Sequence, residues 1–136
     1  MAAFNTISPA ALMRLIGTRK APLLIDVRLD DDFDADPHLI PTARRWPHGE
    51  IEALLPEAHN RMVVVICQKG LKLSHGAAAL LRCHGIDACV AEGGTEAWQQ
   101  ASLPRVPSAA IATGWTGTST LWVTRQRPKI DRIACP

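Results

Sequence analysis

A run of apolar residues that ends in a cysteine constrains the fold more than any other feature of the sequence. Residues 62–66 read MVVVI and are followed at once by Cys67. Such a run is typical of a strand that is buried on both faces of a parallel sheet. Gly70 breaks the pattern, and the alanines and leucines of residues 77–81 predict a helix that starts soon afterwards. The sequence therefore places Cys67 in the turn between a buried strand and a helix.

This position favours a reactive role for Cys67. Backbone N–H groups of the turn, together with the positive end of the following helix, can converge in front of the sulfur. They would bind an anion and stabilise a thiolate. A free cysteine is more commonly a small apolar packing residue. The carboxyl end of a parallel strand, however, is where open α/β sheets bind their ligands.

Strands alternate with helices along the first hundred residues. Short buried strands are predicted at residues 23–27, 62–66 and 86–91. Helices are predicted from Ser8-Pro9 to Ile16, after Gly70, and from about Gly94 towards Pro104. Parallel strands joined through helices need right-handed crossovers. The predicted fold class is therefore α/β, with a largely parallel sheet flanked by helices on both faces.

Composition indicates a soluble globular chain. Apolar residues make up 47% of the sequence and charged residues 21%. The sequence contains no apolar run of roughly 18 residues and no secretory signal at its start. We therefore predict a cytoplasmic protein that does not contact a membrane.

The cysteines show no spacing typical of a disulfide framework or a zinc site. The chain has four of them, at Cys67, Cys83, Cys89 and Cys135. His84 adjoins Cys83, but two cysteines and one histidine at this spacing make a weak set of metal ligands. We predict reduced thiols, no metal and no cofactor.

The last part of the chain differs chemically from the rest. Residues 105–136 carry a net charge of +4, whereas residues 1–104 carry −2. We predict one domain in residues 1–104, followed in 105–136 by a linker or arm and the start of a further domain. Trp115 and Trp122 would expose large apolar area in a loose tail. We expect them to pack on the domain, on following sequence, or on a second copy, which would form a homodimer through the tail.

Asp26 and Arg28 stand at the end of the predicted strand 23–27. Two interpretations fit this charged ending. The pair could be a solvated strand end, or it could be a structural Asp–Arg network that braces the cysteine loop.

Four motifs, in this order, resemble the rhodanese (thiosulfate sulfurtransferase) domain. They are residues 24–28 (LIDVR), residues 38–43 (HLIPTA), the loop that begins at Cys67, and residues 92–98 (EGGTEAW). The resemblance covers roughly residues 5–103 and implies a single rhodanese-like domain.

The resemblance also implies roles for individual residues. Cys67 matches the cysteine that carries a persulfide. The loop whose amides cradle that persulfide corresponds to Gln68, Lys69, Gly70, Leu71, Lys72 and Leu73. Lys72 stands where many members have arginine, which keeps the charge but loses the planar fork that binds an oxyanion at two points. Thr42 stands where the family usually has glycine, so the backbone there is expected to differ.

The implied activity is sulfur transfer in two steps, from a small anionic donor such as thiosulfate to cyanide or a thiol. Lys69 and Lys72 would attract the donor. Cysteine phosphatases use a similar loop, but their pattern requires arginine at position 73, which is Leu73 here. A non-catalytic module, in which Cys67 responds to oxidants or oxyanions, stays open as the alternative.

The tail separately resembles the start of a chromate-resistance protein domain, on residues 121–136. The resemblance implies a longer bacterial parent chain connected with chromate or oxyanion stress. Residues 125–132 hold four basic side chains. They lack a recognisable reading helix, so we predict no nucleic-acid binding by this domain.

Overall fold

A computed structural model of the 136-residue chain describes residues 5–108. The predictions for Trp115, Trp122 and Cys135, and the chromate-resistance resemblance of residues 121–136, lie outside these residues.

The described chain alternates short strands and helices. Its strands are β1 Thr6–Ile7, β2 Leu23–Asp26, β3 His38–Leu39, β4 Arg44–Arg45, β5 Met62–Ile66, β6 Asp87–Ala91 and β7 Val106–Pro107. Its α-helices are α1 Pro9–Leu15, α2 Asp30–Ala35, α3 Leu55–Ala58, α4 Lys72–Cys83 and α5 Gly94–Gln100. A 3₁₀ helix, His48–Leu54, leads directly into α3.

The main sheet has five strands in the order β1-β6-β5-β2-β4, and every pairing in it is parallel. A second, two-stranded sheet pairs β3 with β7 in the antiparallel direction. β5 lies at the centre of the main sheet, and Val63 to Ile66 are 0–1% exposed. The predicted α/β class with a largely parallel sheet is confirmed.

Two apolar clusters cover the two faces of this sheet. Val63, Val65 and Cys67 contribute to the cluster that holds Ala77 and Leu81 of α4. The alternate residues Val64 and Ile66 belong to the other cluster, with Leu12 of α1 and Trp98 of α5. Successive side chains of a strand point to opposite faces. The register therefore puts Cys67 on the face that α4 covers.

The Asp26–Arg28 pair is buried rather than solvated. The side chains of Arg28 and Asp26 are 0% and 2% exposed, and Arg28 Nε donates to both carboxylate oxygens at 3.2 and 3.0 Å. Arg28 also donates to the carbonyl oxygens of Asp36 and His38, at 3.0 and 2.6 Å. Burial raises the pKa of Asp26 above its ordinary value of 3.8, and the charge of Arg28 opposes this rise.

This network braces the segment that follows α2. Within residues 5–108 it makes no hydrogen bond to residues 67–73. Asp26 nevertheless pairs with Ile66 in the sheet, and Val27 N–H donates to Ile66 O at 2.8 Å. Support of the cysteine loop by Asp26 and Arg28 therefore stays a prediction, with a route through the backbone of β2 and β5.

The acidic run at residues 30–36 folds around one aromatic ring. The sequence of residues 30–36 predicts chiefly a solvated surface, with a brief helix around Phe33 as the alternative. The structure forms that helix, α2, and buries Phe33 to 9% exposure. The guanidinium groups of Arg28 and Arg45 lie 5.0 and 4.2 Å from the centre of its ring. Cation–π contacts of this kind hold the helix against the arginine network.

Thr42 has a φ of 71°, in the left-handed region that favours glycine. The expectation that the backbone here differs from that of the family stays a prediction. A side chain in this conformation costs about 1–2 kcal/mol.

Residues 105–108 contact the domain that precedes them. β7 pairs with β3, and Arg105 Nη1 lies 2.6 Å from Asp36 Oδ2. Trp98 Nε1 donates to Pro104 O at 2.8 Å. The division of the chain at residues 104 and 105 stays a prediction, because most of the second segment lies beyond the described part. Across residues 5–108, no helix has the length and apolar character needed to cross a membrane.

Candidate active site

Cys67 follows the last residue of β5 and lines a surface cavity. The cavity has a volume of about 650 Å³. Cys67 itself is 5% exposed, whereas Lys69, Leu71 and Lys72 around it are exposed. The cavity is lined by Leu29, Asp32, His48, Cys67, Gln68, Lys69, Leu71, Lys72, Leu73, Gly76, Ala77 and Leu80. Cys67 is therefore a buried member of the apolar cluster covered by α4 that also lines the cavity.

The loop after Cys67 carries N–H groups with no partner in the described chain. Within residues 5–108, none of the N–H groups of residues 68–74 donates a hydrogen bond. The first helical N–H to do so is that of His75, to Leu71 O at 3.1 Å. Helix starts leave their first N–H groups unsatisfied. Here they belong to the 12-residue helix α4 and can donate to water or to a bound anion.

Ser74 contacts the sulfur directly. Its Oγ lies 3.0 Å from Cys67 Sγ, and the residue is 0% exposed. The same hydroxyl lies 3.3 Å from Leu71 O, to which it donates when the thiol holds its own proton. The sequence pattern predicts that Ser74 lies in the helix but does not indicate a contact with Cys67. That contact could have been predicted only if the helix had been known to begin at Lys72, which places Ser74 in its first turn.

The motif of residues 92–98 (EGGTEAW) makes hydrogen bonds to the cysteine loop. Thr95 N–H donates to Cys67 O at 2.9 Å, and Glu96 N–H donates to Gln68 O at 3.0 Å. Thr95 Oγ1 also lies 3.3 Å from Cys67 O. These bonds occupy the carbonyl oxygens of Cys67 and Gln68 and tie the start of the cysteine loop to α5.

Gly70 and Gly94 make this close approach of two backbones feasible. Both have positive φ, 70° and 61°. A Cβ on Gly94 would lie 2.6 Å from Gly70 N, and a Cβ on Gly70 would lie 2.8 Å from Gly94 N. The EGGTEAW motif therefore has a physical reason, because any side chain at Gly94 would collide with the cysteine loop.

The predicted loop residues do not all face the cavity. Gly70 does not line it, because this residue packs against the glycine motif instead. Asp26 and Arg28 do not line it either. Gln68 does, and its Nε2 donates to Glu96 Oε2 at 3.3 Å. Lys69 and Lys72 bring two positive charges to the cavity, while Asp32 and His48 reach it from other parts of the fold.

The other described cysteines lie away from Cys67. Cys89 pairs with Val64 and belongs to the cluster on the opposite face of the sheet. Burial, with the charge of Asp87, raises the pKa of Cys89 to about 11, so it is a thiol at neutral pH. Cys83 ends α4, whose 12 residues span about 18 Å. Cys83 lies within an apolar stretch, which predicts a packed side chain, and this prediction is wrong because Cys83 is exposed.

Residues 5–108 hold no group of three His, Cys, Asp or Glu side chains arranged to bind a metal ion. The groups available at the site are the Cys67 thiol, the Ser74 hydroxyl, backbone N–H groups, two lysines, and the polar side chains of Asp32, His48 and Gln68.

Fold and site together define a class of protein: an α/β domain that presents a cysteine in a strand-to-helix loop. A family model described as the Rhodanese-like domain matches residues 8–101. The chain belongs to the rhodanese-like domain family, and the resemblance seen in its motifs is confirmed.

One curated relative is an uncharacterized protein of Synechocystis sp. It is 34% identical over 106 residues, which cover 74% of this chain and 55% of that protein. The chain thus spans about half the length of the curated relative that it matches.

Solved structures are similar to this chain over the same region. A rhodanese-like domain protein from Staphylococcus aureus is 28% identical with a TM-score of 0.60, covering 69% of this chain and 90% of that one. A rhodanese-related protein from Thermoplasma volcanium is 25% identical with a TM-score of 0.63, and the match covers 76% of this chain and 98% of that one. A thiosulfate sulfurtransferase from Pseudomonas aeruginosa is 24% identical with a TM-score of 0.65, and the match covers 76% of this chain and 19% of that one. This last likeness shows the fold alone.

Proposed function

We propose that this chain is a sulfurtransferase that carries a sulfane sulfur as a persulfide on Cys67. The observation that carries the proposal is the environment of one atom. Cys67 lines a cavity, and its Sγ lies 3.0 Å from a buried hydroxyl, next to a loop whose N–H groups donate no hydrogen bond within residues 5–108. A thiolate and the outer sulfur of a persulfide both need donors of this kind.

The reaction consists of two displacements at sulfur. In the first, the Cys67 thiolate attacks the outer sulfur of thiosulfate. A new S–S bond forms, the S–S bond of thiosulfate breaks, and sulfite leaves with the electron pair. In the second, cyanide or a thiolate attacks the outer sulfur of the persulfide. Thiocyanate or a new persulfide forms, and the Cys67 thiolate is regenerated without any external oxidant or reductant.

Electrostatics support an anionic donor. Lys69 and Lys72 line the cavity and are exposed to solvent, so they attract anions before binding. Lys72 is the first residue of α4, where an anion also meets the positive end of the helix. Lysine acts as a point charge and lacks the paired donors of arginine. It therefore attracts thiosulfate without fixing its orientation.

Ser74 has the role of a positioning residue in this mechanism. When Cys67 is a thiolate, the Ser74 hydroxyl turns from Leu71 O to donate to the sulfur. Both acceptors lie within reach, at 3.3 and 3.0 Å. A hydrogen bond to a charged group contributes about 1.5–3 kcal/mol. Ser74 thus stabilises the nucleophile before attack and the leaving thiolate in the second step.

Ser74→Ala should slow sulfur transfer at neutral pH by about 10- to 100-fold, the rate equivalent of that hydrogen bond. The rising limb of the rate against pH should also move to higher pH, because more alkaline solution is needed to form the same amount of thiolate. The measurement is the initial rate of thiocyanate formation across a pH series.

Ser74→Thr is the matched variant, since it keeps the hydroxyl. It should retain the position of the pH limb even if crowding lowers the maximal rate. A slower Ser74→Ala enzyme with an unmoved pH limb would show that Ser74 acts through packing alone.

The competing function is that of a sensor in which Cys67 is oxidised. The positions of the other cysteines do not favour a sensor that forms an internal disulfide. A sensor that records oxidation as an internal disulfide needs a second cysteine with its Cα about 4–7 Å away. Within residues 5–108, Cys89 lies on the other face of the sheet and Cys83 at the far end of α4.

The experiment that tests the proposed function is the formation of thiocyanate from thiosulfate and cyanide by the purified chain. Turnover above the uncatalysed rate is expected. A correctly folded chain that produces none, with either cyanide or a small thiol as acceptor, would favour the non-catalytic alternative.

A further inference from the structure

Three leucines surround the mouth of the Cys67 cavity. They are the large apolar side chains that are exposed within residues 5–108: Leu29 at 49%, Leu71 at 62% and Leu80 at 37%. All three line the same cavity. We call them the leucine rim. They come from separate parts of the fold, because Leu29 precedes α2, Leu71 lies in the cysteine loop and Leu80 lies on α4.

Single exposed apolar residues are normal on a protein surface and need no explanation. Here, however, all three line one cavity, which is the cavity that Cys67 also lines. Exposed apolar side chains that are grouped around one cavity favour the binding of another molecule there.

The rim is too extended for the small reactants. Leu71 and Leu80 are nine residues apart at the start and in the body of α4, a distance of about 13 Å at the rise of an α-helix. Cyanide has two heavy atoms and thiosulfate five, so neither can contact both leucines. A polypeptide in extended conformation covers the same distance with about four residues.

Charge at the mouth favours an acidic partner. Lys69 and Lys72 lie on either side of Leu71 along the chain and line the same cavity. Asp32 is the acidic residue of the lining, and it approaches from α2. A partner that carries an acidic residue close to its thiol would meet the two lysines.

We propose that the leucine rim binds a protein acceptor that presents a cysteine flanked by an apolar and an acidic residue. The inference rests on the proposed function, because it names the thiol that receives the sulfur. The acceptor thiolate attacks the outer sulfur of the Cys67 persulfide, the S–S bond to Cys67 breaks, and Cys67 leaves as a thiolate. The apolar flank covers the rim and the acidic flank pairs with Lys69 or Lys72.

Synthetic peptides test this proposal in the full chain. The probe is an acetylated peptide, Glu-Leu-Cys-Leu-Gly amide, and its controls replace both leucines by serine or the glutamate by lysine. Single-turnover transfer from sulfur-loaded protein to each peptide gives the second-order rate constant. We expect the probe to exceed the serine peptide by about tenfold or more, the equivalent of one partly buried leucine. We expect a smaller preference over the lysine peptide that falls with added salt.

The double variant Leu29→Gln with Leu80→Gln should remove the preference for the leucine peptide. Because both leucines line the cavity, each peptide rate is divided by the rate of transfer to cyanide by the same variant, so that a general loss of activity does not count as a loss of preference. Leu15→Gln is the matched control, because Leu15 is a partly exposed leucine of α1 that does not line the cavity. It should keep the full preference.

Three results would overturn the proposal. The first is equal transfer to the leucine and serine peptides by the wild type. The second is a preference that survives in the double variant. The third is a change of oligomeric state in the double variant, which would show that a second copy covers the rim. Loading of Cys67, measured separately by mass, distinguishes these failures from failure of the proposed function itself.

Discussion

Replacement of Cys67 by alanine should abolish sulfur transfer from thiosulfate to cyanide. The proposed relay stores the sulfur on this one atom, and without it the two displacements cannot be separated. The loss should be on the order of 10³-fold or more, which leaves only the uncatalysed rate. Thiocyanate formation at saturating thiosulfate measures it. Thermal unfolding followed in parallel shows that the variant is folded.

Matched variants at the other thiols complete this test. Cys83→Ser changes an exposed cysteine at the far end of α4 and should keep full activity. Cys67→Ser should be as inactive as the alanine variant, because a serine hydroxyl stays protonated at neutral pH and does not act as the nucleophile. Substantial turnover by Cys67→Ala would assign the nucleophile to another residue and remove the central step of the mechanism.

Arg28→Ala should destabilise the fold by about 3–5 kcal/mol, the cost of leaving one member of a buried ion pair without its partner. Arg28 and Asp26 are 0% and 2% exposed, so water cannot replace the lost bonds. The variant also loses the bonds to Asp36 and His38, and the contact with Phe33. A typical domain has only about 5–15 kcal/mol of stability. Denaturant unfolding should therefore show a much lower midpoint.

The pH dependence of this deficit has a definite sign. Burial already raises the pKa of Asp26, and Arg28 is the charge that opposes this rise. Without Arg28 the folded-state pKa rises further above the unfolded value. A raised folded-state pKa stabilises the fold below the unfolded pKa, and this contribution is lost as the pH rises through the folded pKa. The deficit of Arg28→Ala should therefore be larger near pH 7 than near pH 4.

Arg44→Ala serves as the control for Arg28. Arg44 also forms an ion pair with a carboxylate, but its partner Glu57 is 52% exposed. Exposed pairs contribute about 0–1 kcal/mol, so this variant should unfold close to the wild type. Equal deficits for Arg28→Ala and Arg44→Ala would contradict the structural role of the buried network.

The sequence contained enough information to predict the centre of the fold. The apolar side chains of residues 62–66 are all buried only if this run forms a strand that is covered on both faces. The run forms β5, which has helices on both sides. Gly70 and the following alanines placed a helix after Cys67, which became α4. These predictions succeeded because apolar periodicity and glycine breaks are local signals.

What the sequence could not supply were contacts between residues whose relative orientation depends on tertiary packing. The contact of Ser74 with Cys67 needs the exact start of α4, and helix ends are uncertain by a residue or two from any pattern. The burial of Phe33 needs Arg28 and Arg45 from two other segments. The leucine rim needs three elements to meet at one cavity. Local patterns carry none of this information.

The most direct test of the account is the intact mass of the folded chain after exposure to thiosulfate and removal of excess reagent. We expect a gain of one sulfur atom per chain, carried by the peptide that contains Cys67, absent from Cys67→Ala and released on addition of cyanide. An unchanged mass, or a gained sulfur located on Cys83 or Cys89, would contradict the proposal that Cys67 carries the persulfide.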